Sequence, residues 1–167
     1  MIEQTLEDRV LYKISSALAG SGVGNVQTLA QLRASEGVKA TEDSSADVYI
    51  VAKSSPRSYS TATIPTCQID ISLNVLVRAD VDYNGAGYLG VTSKIMDVLQ
   101  HWQRCYHDTH EDFAIEGEFS VSGFQLGSGS FALDSSAKTW QYTHSFSVFG
   151  VVLGDNYNTT NQEVITS

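Results

Sequence analysis

The sequence predicts an α+β domain, a mainly antiparallel sheet packed against a long amphipathic helix and an N-terminal helix. Three observations carry this. Residues 67–78 alternate strictly, with Cys67, Ile69, Ile71, Leu73, Val75 and Val77 on one face and Gln68, Asp70, Ser72, Asn74, Leu76 and Arg78 on the other. Period-two alternation of that length marks an antiparallel strand with one buried side. Between Tyr88 and Tyr106, the residues Tyr88, Val91, Ile95, Leu99 and Trp102 recur at helical spacing and form one apolar stripe. The order of elements is a helix, a long strand, a helix, and then strands to the end. That order departs from the regular strand–helix repetition of a parallel α/β enzyme.

Taken from the N-terminus, Thr5 with Asp8 reads as a capping box. Leu6, Val10, Ile14 and Leu18 then continue at helical spacing until Gly20. The glycines at 20, 22 and 24 form a turn. A short second helix is expected to hold Val26, Leu29 and Leu32, and the polar stretch Gly37 to Asp47 reads as a loop. Val48, Ile50 and Ala52 begin the first strand. The Ser/Thr-rich segment Ser54 to Thr66 follows, with Pro56 and Pro65 in it and Arg57 and Tyr59 near its tip. Flanked by two strands, it is a hairpin connection long enough to be kept for contacts, and it is the candidate assembly loop.

After the central strand, Ala79 to Gly87 is a loop leading into the major helix, whose other face carries Lys94, Asp97, Gln100, Gln103 and Arg104. Phe113, Ile115, Phe119 and Val121 suggest the next strand, and Phe131 with Leu133 a separate short one. Trp140, Tyr142, His144, Phe146 and Val148 alternate with polar residues as the closing strand. Trp102 and Trp140 are both expected to be largely buried. One domain over 1–153 and a polar C-terminal tail over 154–167 account for the chain.

Bulk properties narrow the function. A chain of 167 residues buries roughly 70% of its unfolded surface, enough for one core. No stretch approaches the roughly 20 apolar residues of a membrane span. Met1 to Arg9 lacks the apolar core of a signal peptide. The sequon at Asn158 therefore lacks support from secretion, and Cys67 and Cys105 do not make a disulfide framework. Synthesis and assembly in a reducing cytoplasm follow. Formal net charge is −9, from 19 acidic and 10 basic residues. Between Arg104 and Lys138 no Lys or Arg occurs. A protein that grips nucleic acid needs a basic footprint, which this chain lacks.

Several motifs invite a catalytic or binding reading and fail on physical grounds. Gly85-Ala86-Gly87-Tyr88-Leu89-Gly90 matches the dinucleotide fingerprint. That site requires a tight turn off a buried parallel strand, whereas the preceding strand alternates and is separated from Gly85 by a loop. His101, Cys105, His107 and His110 cluster near the end of the major helix, and His101 with Cys105 at i, i+4 could share a soft metal. The spacing of established zinc motifs is missing, so histidines complementing a helix C-terminus are the preferred reading and no metal is expected. Asp108, Glu111 and Asp112 could hold a hard cation weakly, without the spacing of a calcium loop. No nucleophile elbow surrounds any Ser. Glu116 and Glu118, two apart on an expected strand face, read as solvated like charges and not as an acid–base dyad. The expectation is a protein without catalytic residues and without a cofactor.

The helix around Leu6 to Leu18, the strand Gln68 to Arg78, the acidic loop Ala79-Asp80-Val81-Asp82, the helix Tyr88 to Trp102 and the closing strand Trp140 to Val152 together resemble the tail terminator, or tail completion, proteins of long-tailed bacteriophages. The resemblance is one of pattern over Met1 to Leu153. The longer loop Ser54 to Thr66 and the polar tail are departures from it. It implies a structural virion protein of the tail and neck. Such a protein forms a hexameric ring of copies of itself, which caps the tail-tube protein and meets the head–tail connector. A tail-tube or neck-connector subunit is the nearest alternative. A small cytoplasmic enzyme with a site around His101 to His110 is the alternative from another class. In a ring through which DNA passes without specific binding, Glu116 and Glu118 are the expected lumen-facing acids, because carboxylates repel the duplex backbone.

Overall fold

A computed structural model describes residues 1–20, 26–28, 48–60, 66–78, 88–134 and 139–153. The fold is α+β, as the patterning predicts. Helix α1 (Ile2–Gly20) buries Ile2, Leu6, Val10, Ile14 and Leu18. It starts before the expected capping box, because Ile2 belongs to the same buried stripe and the helix extends to seat it. Thr5 therefore lies inside the first turn, where its hydroxyl donates back to the Met1 carbonyl at 3.0 Å and caps nothing.

Strand β1 (Val26–Thr28) takes the place expected for a short helix. It pairs parallel to β2 (Val48–Ser54), with Val26 opposite Val48 and Thr28 opposite Ile50. Sheet pairing of two β-branched residues overrides the helical spacing of Val26, Leu29 and Leu32; Leu29 and Leu32 lie outside the described residues. β2 runs antiparallel to β4 (Cys67–Arg78), and the two-residue β3 (Ser58–Tyr59) pairs with the start of β4.

Helix α2 (Tyr88–Arg104) ends at Cys105, and a second helix, α3 (Tyr106–Phe113), follows at once. Phe113, expected on a strand, is instead the last residue of α3 and is fully buried. Ile115 makes only an isolated bridge to Phe119. Strand β5 (Phe119–Asp134) then runs unbroken through Phe131 and Leu133, which were expected on a separate short strand. Register shifts between Val121 and Gly123 and between Leu126 and Gly129 re-phase its alternation, so no single period covers it. Strand β6 (Thr139–Val152) is the last strand among the described residues.

The sheet order is β1-β2-β4-β6-β5, with β3 on β4, so the central strand is β4 and β5 forms one edge. Residues of α1, α2 and α3 share one core with the inward faces of β2, β4, β5 and β6. Trp140, expected to be largely buried, is only partly covered and packs at the margin of that core. The opposite face of β4 and β6 is mainly polar, apart from Leu76, which packs with Tyr49 and Val51 of β2. There Asp70 accepts from Ser147 Oγ at 2.6 Å and Gln68 Nε2 at 2.9 Å, and Asn74 accepts from Gln141 Nε2 at 3.3 Å. The hydrogen bonds from Ser147 and Gln68 hold the Asp70 carboxyl below its ordinary pKa.

Candidate functional site

The first half of the Ser54–Thr66 segment is gripped by α1. Arg57 faces Glu3 in a two-pronged ion pair, Nε donating to Oε1 at 2.5 Å and Nη2 to Oε2 at 3.0 Å. Glu7 accepts from both the amide and the hydroxyl of Ser54, at 2.6 and 2.8 Å. Burial works against the Glu3 carboxylate, but the hydrogen bonds and charge of Arg57 outweigh it and leave its pKa lowered. The same pair raises Arg57. Arg57 is thus committed to its own subunit, while Tyr59 on β3 stays half exposed. Residues 61–65, the rest of the expected tip, lie outside the described residues.

Glu116 and Glu118 do not share a strand face. They flank Gly117 in a tight turn between the paired residues Ile115 and Phe119, whose amides and carbonyls exchange bonds of 2.9 Å. Gly117 has φ of 75°, a left-handed conformation that a side chain resists, and this is why the chain turns here instead of extending. Both glutamates are exposed. The turn is anchored from behind by Arg9, whose Nη1 donates to the Ala114 carbonyl and to that of Asp112 at 3.2 Å. Register across the sheet aligns Tyr59 with Cys67, Cys67 with Gly150 and Gly150 with Val121. Tyr59 and the acidic turn therefore lie at the same end of the sheet.

The outer edge of β5 has no partner strand among the described residues. Towards its far end, Phe131 and Leu133 are 52% and 50% exposed. A long edge with apolar side chains is the part of a sheet most ready to pair with another chain.

The helix joint assembles a group that the linear reading only half found. His101 Nε2, the Cys105 Sγ and an Asp108 carboxylate oxygen all lie within 4.8 Å of one another. In an unbroken helix His101 and Asp108 would stand about 10.5 Å apart along the axis, since each residue rises about 1.5 Å. The break at Cys105 folds α3 back, so that the Asp108 carboxylate meets the His101 imidazole directly. Thr109 locks the joint, its hydroxyl sharing its one proton between the Trp102 carbonyl at 2.5 Å and the Cys105 carbonyl at 3.0 Å. Hydrogen bonds from His101 and His107 hold the Asp108 carboxyl below its ordinary pKa. Asp108 also belongs to the neighbouring set with His107 and Glu111, whereas the His110 ring lies tilted beside that of Tyr106. The i, i+4, i+7 spacing was the available signal for Asp108.

A buried polar pair inside the core was missed altogether. His144, 5% exposed, contacts the Tyr142 hydroxyl through Nδ1 at 2.6 Å, and that hydroxyl also reaches Met96 Sδ at 2.9 Å. His144 Nε2 has no hydrogen-bond partner among the described residues. Burial pushes the Tyr142 phenol up to about 12. Burial also lowers His144, a backbone bond with Gly127 opposing it only in part. A His whose folded pKa lies below its unfolded value binds more protons when unfolded. Stability is therefore intact above the ordinary value of 6.5 and declines as pH falls from there towards the folded value. Urea melts from about pH 8 to about pH 5 are expected to show that decline in the wild type, and His144→Leu is expected to flatten it. The same slope in both proteins would assign the acid sensitivity elsewhere.

No known family profile matches the chain, and no curated protein matches it in sequence. Its fold is similar to that of a chain from the virion of a native gene transfer agent particle. The TM-score is 0.52 at 15% identity, covering 84% of this chain and 91% of the other. At that identity the likeness is one of fold.

Proposed function

We propose that this chain is a structural subunit of a phage-like virion, and within it a tail terminator. In this reading copies of the chain close into a ring that caps the tail tube and faces the head–tail connector. The observation that carries the reading is the sheet itself: beyond Leu126, where Gln103 caps the Leu126 amide, the outer edge of β5 has no partner strand among the described residues and lies beside exposed Phe131 and Leu133. An edge of that kind favours strand addition by a second copy, and a head-to-tail contact repeated by rotation closes a ring. Two further points support it. The fold is shared with a chain of a virion particle, and the acidic balance of 19 acidic against 10 basic residues suits a ring through which DNA slides unheld.

Arg57 and Tyr59 remain the candidate assembly segment, with half-exposed Tyr59, which also bonds Arg57, as the side chain a neighbour would cover. The Glu116–Glu118 turn, at the same end of the sheet, is the candidate lumen rim. The chemistry of the reading is non-enzymatic, and its partners are further copies, a tail-tube protein and a connector protein.

Native mass and negative-stain images over a range of concentrations test this. A discrete ring, a hexamer by the family resemblance, is expected. Phe131→Glu combined with Leu133→Glu is expected to yield folded monomers. A wild-type protein that stays monomeric at every concentration overturns the reading. Growth into long tubes favours a tail-tube subunit, because a terminator interface must close and a tube interface must stack without limit. Firm DNA binding by the ring at physiological salt would remove the acidic-lumen part.

A further inference from the structure

We propose that His101, Cys105 and Asp108 form a three-ligand site for a borderline divalent transition ion of the zinc class, set on the surface at the joint between α2 and α3. The donor set is one imidazole nitrogen, one thiol sulfur and one carboxylate oxygen, all within 4.8 Å of each other. A tetrahedral ion with bonds of about 2.0–2.3 Å brings its ligand atoms to within about 4 Å of each other, so small side-chain rotations suffice. Mixed nitrogen and sulfur ligation selects zinc-like ions over magnesium or calcium, which take oxygen.

The backbone prepares this arrangement before any ion arrives. Cys105 caps the start of α3 by position only: its side chain makes no capping hydrogen bond, which leaves the thiol to face Asp108. The Thr109 hydroxyl, bonded to the carbonyls of Trp102 and Cys105, fixes the angle between the helices. Trp102 beside the site is buried in the core, so the joint cannot swing freely. The His101 and Asp108 side chains are 55% and 40% exposed, so an ion can enter without any opening of the fold. Three protein ligands leave a fourth position open to water or to a side chain from a neighbouring subunit. Bound there, the ion would replace the His101–Asp108 hydrogen bond by two coordinate bonds and pin α3 to the end of α2. The proposal does not depend on the ring assignment.

The test is equilibrium titration of the full-length reduced protein with Zn2+, and separately with Co2+ followed by visible absorption. One equivalent of ion is expected per chain. His101→Ala, Cys105→Ser and Asp108→Asn are each expected to weaken binding by about 10-fold or more, at least the loss typical of disturbing an outer-shell partner. With Co2+, the thiolate charge-transfer band is expected in the wild type and absent in Cys105→Ser. Glu111→Gln, which belongs only to the neighbouring His107–Asp108–Glu111 set and reaches it through His107, is expected to bind as the wild type does. All four substitutions fall at exposed or half-buried positions, and metal-free melts check that each variant is folded. Failure to bind Zn2+ in the micromolar range overturns the proposal, and so does unchanged affinity in Cys105→Ser. Loss in Glu111→Gln with retention in His101→Ala would also overturn it, by moving the ion to the other set.

Discussion

Trp102→Ala is expected to destabilise the fold by about 3–5 kcal/mol, the range of large aromatic truncations in a core. Trp102 is 1% exposed. Its ring centroid lies 4.8 Å from that of Phe113, 5.9 Å from Phe124 and 6.2 Å from Phe146, so it joins α2, α3, β5 and β6 in one aromatic cluster. Truncation removes the apolar contacts and leaves a cavity that four separate elements would have to move to fill. There is also a polar loss. The indole Nε1 donates to Asp112 Oδ2 at 2.7 Å, and the same carboxylate oxygen faces Lys13 Nζ on α1 at 3.5 Å. Without the indole, Asp112 keeps only a half-exposed ion pair of small worth. Trp102→Phe separates the two effects, because it keeps most of the volume and removes the donor. Denaturant melts at one fixed protein concentration measure both, since any oligomer would add its own stabilisation. A cost below about 1 kcal/mol in a folded Trp102→Ala protein would be incompatible with this core position.

The parts legible in the sequence are those whose period survives over several turns or pairs. The inward stripe of β4 from Cys67 to Val77, the α1 stripe from Leu6 to Leu18 and the α2 stripe from Val91 to Trp102 are all buried as their spacing predicts. Failures occur where the period is short, broken or shared. Three residues at Val26–Thr28 carry no measurable period, and their place is decided by pairing with β2. Phe113 and Ile115 fit an alternating strand as well as the end of a helix, and the break at Cys105 settles it in favour of α3. β5 does not stand out as one strand in the sequence because its register shifts twice and the glycines at 123, 127 and 129 interrupt its alternation.

The candidate site follows the same logic. His101 and Cys105 share a face by simple helical spacing and were found together. The i, i+7 spacing places Asp108 on the same side as His101, but their contact depends on the helix break at Cys105, which the spacing does not announce. Glu116 and Glu118 looked like strand neighbours because the positive φ of Gly117 leaves no mark in the alternation of Ile115, Phe119 and Val121. Buried His144 reads in sequence as one more inward residue of β6. That its Nε2 has no hydrogen-bond partner among the described residues leaves no mark in the alternation.

Gly150→Ala is expected to cost about 1–3 kcal/mol, because the position is overpacked by backbone as well as by side chain. Gly150 sits on β6 between Cys67 of β4 and Val121 of β5. A methyl group there would lie 2.4 Å from the Ser120 carbonyl oxygen and 2.6 Å from the Phe119 ring. The ring could turn only into a packed core, Phe119 being 1% exposed. The Ser120 carbonyl cannot turn without disturbing the β5–β6 ladder, where Ser120 faces Val151. Relief would have to come from moving β5 away from β6 just before its first register shift, between Val121 and Gly123. The control is Gly123→Ala, whose new carbon would meet the Phe149 side chain at 3.8 Å, an ordinary contact. Gly123→Ala should change stability little, within about 0.5 kcal/mol, as unobstructed surface substitutions do. Thermal or urea melts of the two variants side by side decide the matter. If Gly150→Ala melts no lower than Gly123→Ala, then β5 and β6 do not approach each other as closely at this pair as the register from Phe119 to Val121 requires.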